Sequence, residues 1–148
     1  MKQSRQTRAG SRVVSKYLAN HAEPHLPPPP KTLSWSAVLC VPIYNESLSC
    51  LEQLIRFDDT LHILVVNHPE GSSTHLNTAF VDDLLNQYEH LEIAPNCHLI
   101  TLCASSNRHT LLIDICAGTE GFRAAQGVGL ARKIAADTAL LWWSEGAI

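Results

Sequence analysis

Tyr44, Asn45 and Glu46 follow directly on Val41-Pro42-Ile43. Together they offer a flat aromatic face, an amide that both donates and accepts, and a carboxylate. Such groups suit a nucleoside base and a ribose better than a bare phosphate, which would call for glycine and lysine. Asn67 closes a second apolar stretch, Leu61 to Asn67, and Asp114 ends a third, Leu111-Leu112-Ile113. An amide at the first of these positions can accept from a ring N–H; it is equally a turn former ahead of Pro69. A carboxylate at the second suits a ribose or a cation, or it caps a turn through its own backbone. Arg132 and Lys133 come after Gly127 and Gly129. They are placed to neutralise a diphosphate, or else they form a solvated helix face in which Lys133 pairs with Asp137 four residues on.

These side chains need strands that end at one edge and helices that return. Ala37–Ile43 is a continuous apolar run, the signature of a buried parallel strand. The loop after it therefore falls at the carboxyl edge of a sheet, where open α/β folds bind ligands. Leu48, Leu51, Leu54 and Ile55 recur at helical spacing, and Leu61–Asn67 reads as a β-branched strand. Leu76 to Tyr88 predicts a helix, His98–Cys103 and Leu111–Cys116 two short strands, and Gly127 to Leu141 a closing helix. Strands alternating with helices give an α/β class with a mainly parallel sheet.

Val41-Pro42-Ile43-Tyr44-Asn45-Glu46 resembles the opening motif of the family 2 glycosyltransferases. Gly127-Val128-Gly129-Leu130-Ala131-Arg132-Lys133 is similar to the helix that closes the family's nucleotide pocket. The resemblance spans Ala37 to the last residue. It implies a GT-A, Rossmann-like sandwich, incomplete at its C-terminus, in which residues 36–148 are the N-terminal nucleotide-sugar-binding part. It also implies Pro42, Tyr44, Asn45, Glu46, Asn67, Asp114, Arg132 and Lys133 as nucleotide-binding residues. Asn67 stands where the family usually has an aspartate on the base. The implied function is the donor-binding half of an enzyme that moves a sugar from a nucleotide-sugar donor to an unknown acceptor. Full-length members use Mg or Mn through an Asp-x-Asp motif, which this sequence does not contain. The chain alone is thus expected to be inactive and to hold no cofactor or metal. The alternative is a non-catalytic nucleotide-binding or protein-interaction module, a degenerate fragment of such an enzyme. Trp142 and Trp143, near the last residue with little to cover them, point the same way.

A Rossmann dinucleotide fingerprint fails at Gly127-Val128-Gly129, because position 132 carries Arg132. No Gly-x-Ser-x-Gly and no P-loop occurs. Cys97, His98, Cys103 and His109 match no zinc spacing. Cys103 is expected to face the core, and Cys40, inside the first strand, to be an inert buried thiol. Five scattered cysteines without C-x-x-C fit a reduced, cytoplasmic compartment. No apolar run is long enough to span a membrane.

Charge divides the chain. Residues 1–31 hold six Lys/Arg and one acid, whereas the rest holds five basic and thirteen acidic residues. A helix is expected over Arg12 to Ala22, and the stiff run Pro27–Pro30 then separates this leader from the domain. A solvated arm is the simplest reading; peripheral contact with an acidic membrane and a transit peptide are the others. No nucleic-acid partner is expected.

Overall fold

The computed structural model describes residues 8–54, 56–115, 117, 121–123 and 126–148. The expected helix position Ile55 and the strand end at Cys116 lie outside them. In chain order the elements are α1 (Arg8–Asn20), β1 (Ala37–Ile43), a 3₁₀ turn (Leu48–Cys50), α2 (Leu51–Leu54), β2 (Thr60–Val66) and α3 (His75–Gln87). There follow β3 (His90–Ala94), β4 (Cys97–Cys103), β5 (Arg108–Asp114) and α4 (Gly127–Ser144).

One five-stranded sheet runs β1-β2-β5-β4-β3. It is α/β and mixed: β1, β2 and β5 are parallel, whereas β4 is antiparallel to both β5 and β3. The expected sheet was more parallel because β3 went unread. Its signal is the short alternation His90-Leu91-Glu92-Ile93, followed by Pro95-Asn96, with Asn96 at φ 57° turning the chain into β4.

Side-chain alternation divides the core between the two faces. Leu64, Val66, Ile100 and Leu112 meet Leu51 of α2 and Phe80 and Leu84 of α3. Leu61, Ile63, Val65, Leu111 and Ile113 meet α4 on the other face. Ala131 and Ala135, one turn apart, let α4 lie close to the strands. Every residue of β2 is buried, as befits a strand with neighbours and helices on both sides. The edge strand β1 differs: it has a neighbouring strand on one side only, and of its residues Ile43 alone is fully buried. Cys40, which pairs with Ile63 and so lies on the α4 face, is exposed at this edge rather than a core thiol. Cys103 is only half-buried, at the β4–β5 turn, where its Sγ lies 3.3 Å from Ser105 Oγ.

Two further expectations are corrected by long-range packing. Trp142 is fully buried, stacked on Trp35 at 5.9 Å, and its Nε1 donates to the Pro27 carbonyl at 2.9 Å; Trp143 alone stays exposed. The leader is no free arm either. Helix α1 lies on α4, where Tyr17 Oη donates to Asp137 Oδ1 (2.9 Å) and the Glu23 amide donates to Asp137 Oδ2 (2.8 Å). The prolines do not uncouple it, because Pro27 is itself buried in the contact. Among the described residues no helix is long and apolar enough to cross a membrane.

Candidate functional site

Strand register places the expected residues. Ile43 pairs with Val66, and Val66 with Asp114, so the three parallel strands end level. The Tyr44–Glu46 loop, Asn67 and Asp114 are thereby brought to one carboxyl rim. Pro42 is half-buried within β1, and its missing N–H is tolerated because β1 is an edge strand.

A lattice of amides fixes the β1 side of this rim. Asn67 is buried, and both its backbone N–H (2.9 Å) and its Nδ2 (3.0 Å) donate to the Ile43 carbonyl. Asn77 of α3 reaches up from below: its Nδ2 donates to the Asn67 carbonyl (2.8 Å), and its Oδ1 accepts from the Asn45 amide (2.9 Å). Asn45 adopts φ 52°, a left-handed conformation that asparagine tolerates better than most residues. The result is a loop held from both sides, with Tyr44 42% exposed and Glu46 exposed beside it. Asn67 latches β1 to the β2 loop with the amide group expected at the base. Asn77 was not singled out from the sequence, where a lone asparagine inside a helical pattern carries no signal of its own.

The segment ahead of α4 joins the same rim. Phe122 N–H donates to the His68 carbonyl and Glu70 N–H to the Phe122 carbonyl, each at 2.8 Å, forming an isolated bridge between Pro69 and Phe122. Gly121, at φ +95°, lies so close that a Cβ there would sit 2.5 Å from the buried His68 ring. Only glycine fits this approach. His68, Gly121 and Phe122 were also missed, since a short backbone bridge has no periodic pattern.

Asp114 lies two strands from Tyr44, on the side facing the leader. It lines a pocket of about 280 Å³ bounded by Glu23–Pro27, Pro95–Cys97, Ile113–Ile115 and Ile134. Neither Tyr44 nor Glu46 lines it. Cys97 at its wall has its thiol pushed up to about 11, by burial first and then by the Glu92 and Asp114 carboxylates.

Arg132 and Lys133 part company. Helix α4 runs from the Phe122 bridge at the rim towards the opposite end of the sheet, where Trp35 N–H donates to the Ala147 carbonyl (2.9 Å). Lys133 faces α1: its Nζ is 2.6 Å from Asp137 Oδ2, 3.3 Å from Glu23 Oε1, and donates to the His21 carbonyl at 2.8 Å. Its charge is engaged in the ion pair read as the alternative from sequence spacing. Asp137, chiefly through that hydrogen bond, raises the Lys133 pKa. Arg132 is exposed on the adjoining face.

The acidic pair Asp58-Asp59 lies before β2, at the amino end of the sheet, bonded to Arg108, Ser36 and Asn107. It does not fit a cation bound at the opposite rim. Among the described residues no group of three or more His, Cys, Asp or Glu is placed to hold a metal. No protein-family model, curated protein or solved structure matches the chain.

Proposed function

We propose that the chain is a nucleotide-binding module, the donor-binding part of a family 2-like glycosyltransferase domain, which holds the base and ribose of a nucleotide sugar at the carboxyl rim of β1 and β2. The level ending of β1, β2 and β5 carries this reading, because it sets Tyr44, Asn45 and Glu46 beside the Asn67 latch on one ligand edge. The amide lattice supports it as well, since a loop fixed in advance loses little entropy on binding. Tyr44 offers its ring to a base, and Glu46 and the Asn45 side chain offer acceptors to the ribose hydroxyls. The diphosphate is left to Arg132 and backbone amides, because Lys133 is committed to Asp137 and Glu23. Binding is accordingly weak and independent of Mn²⁺.

Calorimetry with uridine, its monophosphate and its diphosphate, with and without Mn²⁺, tests the proposal. Tyr44→Ala removes a stacking contact worth about 1–3 kcal/mol, a loss of roughly fivefold or more in affinity. Glu46→Ala weakens binding with the melting temperature unchanged. Two variants that melt and bind as the parent would overturn the assignment, and a strict Mn²⁺ requirement would contradict the geometry.

A further inference from the structure

The two edges of the sheet are not alike. The order β1-β2-β5-β4-β3 leaves β1 and β3 outermost. Strand β3 carries features that oppose pairing with another chain: it is short, bears the charge of Glu92, and has a bulge between Glu92 and Ala94. Strand β1, Ala-Val-Leu-Cys-Val-Pro-Ile, holds no charge, and its register with β2 is unbroken.

The direction of its outer backbone groups follows from one bond. The Ile43 carbonyl accepts from the Asn67 amide, so the backbone groups of Ile43 face β2. In an unbroken ladder alternate residues turn to the neighbouring strand. Leu39 and Val41 therefore face β2 as well, while Val38, Cys40 and Pro42 turn their backbone groups outward. Pro42, which has no N–H, stands at an outward position, as this alternation requires. The outer edge thus offers an N–H and a carbonyl at Val38, both again at Cys40, and a carbonyl alone at Pro42. Room remains on both faces beside it. The Cys40 side chain is exposed on the α4 face, and Leu39, half-buried on the other, joins neither core cluster.

We propose that β1 is the pairing edge for a second copy of this chain, running antiparallel around a two-fold axis at Cys40. The pattern of donors and acceptors is self-complementary in this register. Each Cys40 exchanges N–H and carbonyl with Cys40 of the other copy, and each Val38 N–H donates to the Pro42 carbonyl of the other copy. The donor that Pro42 lacks falls at the ends of the ladder, opposite the Val38 carbonyl, where water reaches it. Leu39 meets Val41 of the other copy on the α2 face. A two-fold axis sets each strand against itself, so a charge in β1 would meet its own kind, and β1 has none. The guarded β3 edge opposes head-to-tail growth, so the assembly closes as a dimer. A single-strand interface is small, and the pairing is accordingly weak. It does not depend on the nucleotide reading.

The test uses the full chain under reducing conditions. Sedimentation velocity over about a hundredfold range of concentration shows monomer passing to dimer. Amide hydrogen exchange slows with concentration at Val38 and Cys40, whereas Leu39 and Val41, already bonded to β2, are slow throughout. Cys40→Pro removes both donors at the axis from a position that makes no bond to β2, and weakens the dimer by about tenfold or more. Cys40→Lys, at an exposed side chain, sets two ammonium groups face to face and abolishes it; this variant keeps the proposal testable if Cys40→Pro fails to fold. Cys40→Ser dimerises like the parent. With the reductant removed, diamide, which accepts the two electrons and two protons of the paired thiols, links Cys40 to Cys40, because their Cα atoms are about 5.5 Å apart in such a pair. Peptide mapping identifies the bond. A chain that stays monomeric throughout, a dimer indifferent to Cys40→Lys, assembly that grows beyond two copies, or exchange at Val38 and Cys40 that ignores concentration would each overturn the proposal. A diamide-linked dimer without the Cys40 pair would overturn its register.

Discussion

Replacing Asp137 by alanine should release the leader from the domain. The carboxylate is 2% exposed and accepts from Tyr17 Oη, the Glu23 amide and Lys133 Nζ at 2.9, 2.8 and 2.6 Å. A hydrogen bond from a backbone amide to a buried carboxylate contributes about 1.5–3 kcal/mol. The ion pair adds at most about 1 kcal/mol, because Lys133 is 38% exposed and keeps Glu23 and the His21 carbonyl as partners. The Tyr17 hydroxyl finds water once freed and enters the sum at nothing. The expected loss is about 2–4 kcal/mol, or roughly 6–12 °C in melting temperature for a chain of this size. Urea titration reads the stability, and amide hydrogen exchange across Arg8–Asn20 reads whether α1 has come away. Deleting residues 1–26 should produce a fall of the same sign, since it removes Tyr17 and the Glu23 amide together. An Asp137→Ala chain with the parent's midpoint and undiminished protection of α1 would refute the reasoning, for the carboxylate would then not be what holds the leader.

Three other outcomes follow from the same geometry. Asn77→Ala leaves the buried Asn67 carbonyl and the Asn45 amide without their partner and should cost about 1–3 kcal/mol in a denaturant titration while weakening any ligand held by Tyr44. His109 accepts at Nδ1 from Trp35 Nε1 (3.1 Å), and burial holds its pKa below the ordinary 6.5. The unfolded chain therefore binds the proton more readily, so stability should be full above about pH 6.5 and fall as the pH drops towards the folded pKa, a slope that His109→Gln should flatten. Cys103, brought down to about 7 by the Ser105 and Ser106 hydroxyls, should be alkylated by iodoacetamide at neutral pH well before Cys97, which stands at about 11; mass spectrometry after a short pulse distinguishes them.

Much of the framework was legible in the sequence because it rests on local periodicity. The apolar run Ala37–Ile43 coincides with β1, and the patterns around Leu61, Leu76 and Gly127 fall within a few residues of β2, α3 and α4. The Tyr44–Glu46 loop follows β1 at the carboxyl edge for the same reason: a strand that ends in a polar triplet must deliver it there. Lys133 and Asp137, one turn apart, were already an ion pair on paper. Tertiary structure alone decided what each of these groups meets. Strand order put β1 at the edge, which exposed Cys40 and made Pro42 an edge-strand residue. Packing across more than a hundred residues buried Trp142 against Trp35 and Pro27, and turned Asp137 into the anchor of the leader. The lattice of Asn45, Asn67 and Asn77 and the pocket between Glu23 and Asp114 arise from segments far apart in the chain. Periodicity reports which face of an element is apolar. It carries nothing about which distant carbonyl, ring or carboxylate will stand opposite, because that depends on how the faces are brought together.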